Sequence, residues 1–401
     1  MTTSPFRVSV VTLATLALVL ALGGSVGCSR DLEVGVVLPL SGDDAPYGRS
    51  VKLGLELALA ELESAGAQPV SFRVVDSRSD AKRAAVLTRQ LCEGAPAIVG
   101  GVTAAESAAM LPEIAECDVL MLSVGAGNET MNELAGDALF YRLVPDAEVE
   151  AVSIARFVDE SLELERLAVV AEGSAYGEGL AAALVEAFRG TVTVLRFSRE
   201  DRDLSDIVTE LQRISPPAVF VAAEGYGLVR AVHAVRAAGF GGWQRPILSG
   251  SALASATLLA EMGEASNGIV FAQGRFDPGA VDGVNEPLQS FVESYRARYG
   301  ELPDHYAARG YDAVRVLAEA VESGGGASPM ELERGLRGLS DFDGVTGPIQ
   351  FREGGGVQRF TRVYAIREGS PVDYREHLEA RKERLRERFR RLRAEAAQEQ
   401  T

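Results

Sequence analysis

VGVVLPL (Val34–Leu40), GRSVKLGLELALAELESA (Gly48–Ala65), SFRVVD (Ser71–Asp76) and AKRAAVLTRQLC (Ala81–Cys92) follow one another, and their order decides the fold class. The apolar pattern passes from a short β-branched run to a helical period and back, twice in succession. The same switching continues through Ala97–Gly100, Ala105–Ala115, Val119–Ser123, Glu148–Leu162, Arg166–Glu172, Gly177–Phe188, Val192–Phe197, Leu204–Ile214, Ala218–Ala223, Val229–Ala238 and Pro246–Ser249. Such alternation predicts βαβ units with parallel sheets covered by helices on both faces. The unbroken Val, Ile and Leu runs fit strands buried on both sides. Phe140–Pro145 interrupts the rhythm and a second series of units follows it, so a first crossing between two lobes is expected there. A crossing back is expected near Gln273–Phe276, with helices at Val284–Tyr299 and Tyr306–Ser323 returning to the first lobe. Ile349–Phe351 and Arg362–Ile366 read as a terminal hairpin. The expected fold is therefore α/β, with two doubly wound parallel-sheet lobes joined by a hinge. Residues 32–145 plus 276–345 would form one lobe and 146–275 plus 346–370 the other. Ligands of such sheets bind outside the carboxyl ends of the strands.

Upstream of this pattern, Arg7 precedes an apolar run from Val8 to Leu22 that ends in Ser25-Val26-Gly27-Cys28. The run is short for a membrane span and reads as a secretory signal. Its end resembles the lipobox of bacterial lipoproteins, which implies cleavage and a diacylated Cys28 as the first mature residue. Ser25 stands where that motif usually has leucine, so a plain signal peptide or an uncleaved anchor is the alternative. Ser29 after the cysteine implies, by the same resemblance, outer-membrane sorting in a double-membraned cell. With Cys28 acylated, Cys92 and Cys117 are left in an exported chain, each just before an apolar run that would be one of two neighbouring strands. A disulfide is expected there, the alternative being two free thiols.

The chain carries 17 net negative charges, which argues against a nucleic-acid partner because phosphate binding needs clustered cations. No histidine stands beside a serine or cysteine in a nucleophile motif, and neither a Gly-x-Ser-x-Gly elbow nor a phosphate loop occurs. No enzyme activity, metal or cofactor is expected.

Gly35-Val36-Val37-Leu38-Pro39-Leu40-Ser41-Gly42 with Tyr47-Gly48, Phe140-Tyr141-Arg142 with Pro145-Asp146, Gly310-Tyr311-Asp312-Ala313, and Phe342-Asp343-Gly344-Val345-Thr346-Gly347 with Phe351 occur in an order that resembles the type 1 periplasmic binding proteins. Within them the likeness is to the branched-chain amino acid receptors of ABC importers, over roughly residues 32–366. The resemblance implies a receptor that closes on a small polar ligand, such as an amino acid, an amide or a related compound, and presents it to an ABC permease. It also implies ligand contacts, though this chain departs from the family pattern at several of them. Ala104 stands at the place of a carboxylate-binding serine, with Thr103 beside it. Ser123-Val124-Gly125-Ala126-Gly127-Asn128 replaces a loop in which relatives carry threonine. Ser249-Gly250-Ser251-Ala252 offers hydroxyls where relatives place a glutamate for the ligand ammonium. Gly125 and Gly127 either make a tight turn or expose N–H groups to an anion. Tyr47 and Tyr176 match places where relatives present rings to the cleft, one from each lobe, which implies that they sandwich the ligand on closure; the alternative is that either covers an apolar helix end. Glu224, directly after the run Val219–Ala223, takes a place where relatives often have a tyrosine; it reads as a ligand contact or as a solvated helix cap. Ser123, Asn128 and Ser251 complete the candidate contacts. Trp243 reads as peripheral packing.

Residues 372–401 lie outside the resemblance and are dense in Arg and Glu, with no Gly or Pro after Pro371. One helix is expected, with Leu378, Leu385 and Leu392 seven apart and Phe389 on the same stripe. It reads as a solvated extension, as a helix that binds a partner protein or its own copy, or as a basic face for an anionic membrane near the lipid anchor. Two further readings of the whole chain compete with transport: an envelope lipoprotein that uses the fold for protein interaction, and a ligand-gated sensor.

Overall fold

The computed structural model describes residues 32–66, 70–125, 130–279, 286–357 and 361–398. Five strands, β1 (Leu32–Leu38), β2 (Val70–Asp76), β3 (Ala97–Gly100), β4 (Leu120–Ser123) and β5 (Leu139–Arg142), pair in parallel in the order β2-β1-β3-β4-β5. Between them run α1 (Ala45–Ser64), α2 (Ala81–Cys92), α3 (Ala104–Cys117) and the short α4 (Thr130–Ala135). The helix starts follow local chemistry. The Asp80 carboxylate accepts from the Arg83 N–H at the start of α2, and the Thr103 hydroxyl accepts from the Glu106 N–H at the start of α3. Phe140-Tyr141-Arg142, expected as a break between lobes, is instead part of the edge strand of this sheet. The helix before it is six residues long, too short for a helical period to announce a further βα unit.

The second sheet has the order β14-β13-β10-β9-β8-β6-β7. Its strands β6 (Arg166–Glu172), β7 (Thr191–Phe197), β8 (Val219–Ala222), β9 (Ile247–Ser249) and β10 (Val270–Gly274) are parallel. The accompanying helices are α5 (Ala147–Phe157), α6 (Ala175–Ala187), α7 (Ser205–Ile214), α8 (Gly225–Ala237) and α9 (Ala256–Met262). The chain continues through α10 (Glu286–Tyr299), α11 (His305–Gly324) and α12 (Pro329–Gly338). Helix α11 lies directly on α1. A Cβ at Gly54 would stand 1.9 Å from the Ala307 carbonyl oxygen, and one at Gly310 2.2 Å from that of Val51, so the two backbones touch where both side chains are absent.

The terminal hairpin differs from expectation. Ile349 belongs to β12 (Gly347–Ile349), which pairs with β11 (Phe342–Gly344), and Phe351 bridges to Val357. The partners of β13 (Thr361–Arg367) are β10 and β14 (Ser370–Asp373), both antiparallel, so this lobe's sheet is mixed. Glu368 and Gly369 connect β13 to β14, both at positive φ (52° and 75°), the geometry of the tight turn that suits a two-residue hairpin. That nearer turn captures β13. Helix α13 (Tyr374–Gln398) follows β14 at once, as one helix.

Cys92 and Cys117, the last residues of α2 and α3, form a disulfide with Cα atoms 6.2 Å apart, just before the paired strands β3 and β4. A loop of this length contributes about 3 kcal/mol on the chain-entropy account. No described helix is long and apolar enough to cross a membrane.

Candidate functional site

The carboxyl ends of strands from both sheets converge on a cavity lined by Val102, Ala104, Gly125, Ala147, Tyr176, Gly179, Leu180, Glu224, Ser251, Ala252 and Tyr306. From the first lobe come the start of α3 and the loop after β4. Thr103 is buried and its hydroxyl caps α3, which leaves Ala104 to face the cavity with the helix N-terminus. Ser123, at the end of β4, donates to the Gly101 carbonyl (3.1 Å) and accepts from the Gly125 N–H (3.5 Å). Gly125 rests on the Val102 backbone, where a Cβ would meet the carbonyl oxygen at 2.0 Å, so close packing is a sufficient reason for that glycine. Gly127, Asn128 and Cys28 lie outside the described residues.

From the second lobe, the Ser174 hydroxyl caps α6 and sets Tyr176 in its first turn. The Tyr176 hydroxyl accepts from the Ala252 N–H (3.4 Å), and the carboxylate of Glu150 on α5 accepts from the Ser251 N–H (3.0 Å). Those two side chains hold the loop after β9 by its backbone. Glu224 stands two residues after β8 at the N-cap of α8, yet it makes no side-chain cap bond and is only 4 % exposed. Glu224 is thus not solvated, although it occupies the N-cap position of α8.

Tyr47 and Tyr176 do not face each other across the cavity as a pair of walls. Tyr47 stacks on Tyr306 with ring centroids 4.4 Å apart, and Tyr306 is the ring that lines the cavity. The Tyr47 hydroxyl is committed to the opposite lobe: it donates to the Ala252 carbonyl (3.0 Å) and accepts from the Gly225 N–H (2.8 Å). Nearby, the Tyr226 N–H donates to the Asp43 carbonyl at 3.1 Å. Gly225 adopts φ +56°, and a Cβ there would lie 2.5 Å from that same carbonyl oxygen, so both backbone hand and space call for glycine at this seam.

The strongest interlobe contact was not legible in the sequence. Arg199, in the loop after β7, forks onto Asp44, which precedes α1, through two bonds of 2.9 and 2.8 Å. The same guanidinium lies 3.5 Å from Glu172 at the end of β6 and 3.6 Å from Glu224. Glu106, in the first turn of α3, accepts from the Ser77 hydroxyl. Asp44, Glu106, Glu172 and Glu224 are each no more than 4 % exposed, and three of these buried carboxyls, Asp44, Glu172 and Glu224, share one close guanidinium. Burial raises the pKa of Asp44, Glu172 and Glu224 above the usual carboxylate range, Arg199 pulls each partly back, and Glu224 is displaced well above that range. Glu106 is pushed up to about 7, first by burial, with the Ser77 bond opposing and Asp44 adding to the rise. Burial works against the charge on Arg199, but Asp44, Glu224 and Glu172 outweigh it. Of the residues that sequence reasoning missed, Glu172 had a readable signal, since it ends an apolar strand run much as Glu224 directly follows one. Asp44, Arg199, Glu150 and Tyr306 had none in the local pattern.

With the geometry in hand, the chain can be set beside known proteins. A family model described as periplasmic binding protein matches residues 31–370. The Leu/Ile/Val-binding protein homolog 1 of Brucella abortus (strain 2308) is 24 % identical over 350 residues, spanning 85 % of this chain and 91 % of that protein. The crystal structure of a leucine binding protein, LivK, from Thermotoga maritima superposes with a TM-score of 0.78 at 26 % identity, covering 85 % of this chain and 97 % of that one. A solute binding protein from R. palustris, solved in complex with benzoate, superposes with a TM-score of 0.75 at 23 % identity over 85 % and 95 % of the two chains. The two-lobed α/β fold, the cleft between its strand ends and the matched span together make this chain a member of the periplasmic binding protein family, a solute-binding protein and not an enzyme.

Proposed function

We propose that the chain is the extracytoplasmic receptor of an ABC importer and that it closes on a small ligand carrying both an ammonium and a carboxylate. The observation that carries this reading is Glu224, a buried carboxyl in the wall of the cavity whose pKa burial holds well above the usual range. A ligand ammonium supplies the positive charge that Arg199, shared among Asp44, Glu172 and Glu224, cannot supply to all three. The ligand carboxylate would face the start of α3 at Thr103 and Ala104, where helix N–H groups and the helix dipole favour an anion. The relatives are named for Leu, Ile and Val or were solved with benzoate, and these ligands share a carboxylate. A ligand with a carboxylate alone would bring another negative charge toward the carboxyl cluster, which favours the zwitterion. Tyr176, Tyr306 and Leu180 would cover the ligand's apolar part. The receptor would be lipid-anchored through Cys28 and deliver its ligand to a permease.

A thermal-shift panel of amino acids, amides, ureas, short carboxylates and aromatic acids tests the ligand class, with calorimetry on hits. A ligand at about 100 times its Kd adds about 2.7 kcal/mol of stability. The hit is expected among zwitterions. Glu224→Gln should weaken it by at least about tenfold, in keeping with the loss of a hydrogen bond to a charged group. Binding should also release a proton as Glu224 ionises against the ammonium, read as a buffer-dependent enthalpy. A hit confined to aromatic acids, indifferent to Glu224→Gln, would overturn the ammonium assignment.

A further inference from the structure

We propose that α13 is a peripheral membrane-binding helix that lays a basic, apolar-striped face on an anionic lipid surface. Between Tyr374 and Gln398 the cationic side chains outnumber the acidic ones nine to five, in a chain that is 17 net negative overall. The rest of the chain is therefore strongly acidic and is repelled by anionic lipid, while this helix is attracted.

The helix is anchored at one end, and its stripe is exposed at Leu385 and Phe389. Tyr374 packs edge-on against Phe157 with ring centroids 4.7 Å apart, and the Arg381 guanidinium stacks over Trp243 at 3.5 Å. Residues four and seven apart share a helix face, so the stripe that begins with Tyr374 and Leu378 continues into Leu385 and Phe389. There it leaves the body of the protein: Leu385 is 43 % exposed and Phe389 64 %. At about 100° per residue, Arg381 and Arg388 border the stripe on one side and Lys382 and Arg386 on the other, while Glu383 and Glu387 fall on the opposite face. Long cationic side chains beside an apolar stripe form the layout of a helix lying in a lipid interface, and two of them, Lys382 and Arg386, also pair with Glu379 (2.7 Å) and Glu383 (3.2 Å) on the side away from the stripe.

The same layout disfavours a second copy of the chain as occupant. Pairing two such helices along the stripe, in either direction, brings the bordering cations of one against those of the other. An anionic surface meets both borders with opposite charge.

Vesicle sedimentation tests this with residues 31–401, which form one compact unit. Binding is expected to phosphatidylcholine vesicles containing about 30 % phosphatidylglycerol and not to phosphatidylcholine alone, about tenfold weaker in about 0.5 M salt than in about 0.05 M. The double variant Leu385→Ser and Phe389→Ser, at exposed positions, should fold normally by circular dichroism and lose binding. Trp243, the chain's one tryptophan, stacks on this helix and gives an independent emission signal. Equal binding to both vesicle types, binding to neither, or retention in the double variant would each overturn the proposal. So would self-association, or binding to a soluble polyanion, without vesicle binding.

Discussion

Glu106 shows how a residue that looks like ordinary helix chemistry becomes a pH-dependent weight on the fold. An acid in a helix first turn is favourable in water. In this protein it is buried behind Ser77 and near Asp44, and its pKa rises from 4.5 to about 7. Between those two values the folded protein keeps a proton on Glu106 that the unfolded chain has lost. The stabilising contribution of that raised pKa is full below about 4.5 and is lost as pH rises through about 7. Glu106→Gln keeps the acceptor for Ser77 and removes the titration. Urea unfolding at about pH 5 and about pH 8 should show the variant gaining on the parent by up to about 3 kcal/mol between the two. Parallel stability profiles would show that Glu106 stays ionised in the fold. The sequence could name Glu224 because it directly follows a strand run, but the partners that set these pKa values come together only in the fold, across long sequence separations. Asp44 and Arg199, 155 residues apart, are the clearest case.

Among the elements, the pair α1 and α11 rests on a contact that admits no side chain. Gly54 and Gly310 each let a helix backbone approach a carbonyl of the other. Gly54→Ala would gain helix propensity of about 1 kcal/mol. The added methyl must push the helices apart, an overpacking cost of about 1 to 3 kcal/mol, and more where backbone is the obstacle. A net loss near 2 kcal/mol is expected from denaturant midpoints; an unchanged or raised midpoint would mean that the helices slide without penalty. Strands and helices of ordinary length were legible because their apolar periods differ, as Val34–Leu40 and Gly48–Ala65 illustrate. Two elements were misread for physical reasons. The strand containing Phe140-Tyr141-Arg142 follows a helix of six residues, too short to show a period. The partner of Thr361–Arg367 was decided by the Glu368-Gly369 turn, a stronger local constraint than the apolar residues at Ile349–Phe351. The cysteines at the ends of α2 and α3 could be paired in advance because the strands that follow them are neighbours.

For the whole molecule, the seam between the lobes is an electrostatic balance with Arg199 at its centre. In the closed arrangement the guanidinium is bonded to Asp44 and flanked by Glu172 and Glu224, whereas in an opened arrangement Asp44 would be released to water. Arg199→Gln removes the cation beside Glu172 and Glu224 of its own lobe in either arrangement, and leaves Asp44 buried and uncompensated only when the lobes are together. Removing one partner of a buried pair costs about 3 to 5 kcal/mol, and here that cost falls on closure more than on either lobe's own sheet. The Tyr47 bonds to Ala252 and Gly225 remain in the variant and set a limit on how far the balance moves. Small-angle scattering should report a larger radius of gyration for Arg199→Gln without ligand. Ligand affinity should fall by about a hundredfold, because binding must then supply the free energy of closure. Saturating ligand should bring the variant's radius back to that of the parent. A variant with the parent's radius and affinity would mean that the tyrosine and backbone contacts alone hold the lobes together and that Arg199 serves only to stabilise the second lobe.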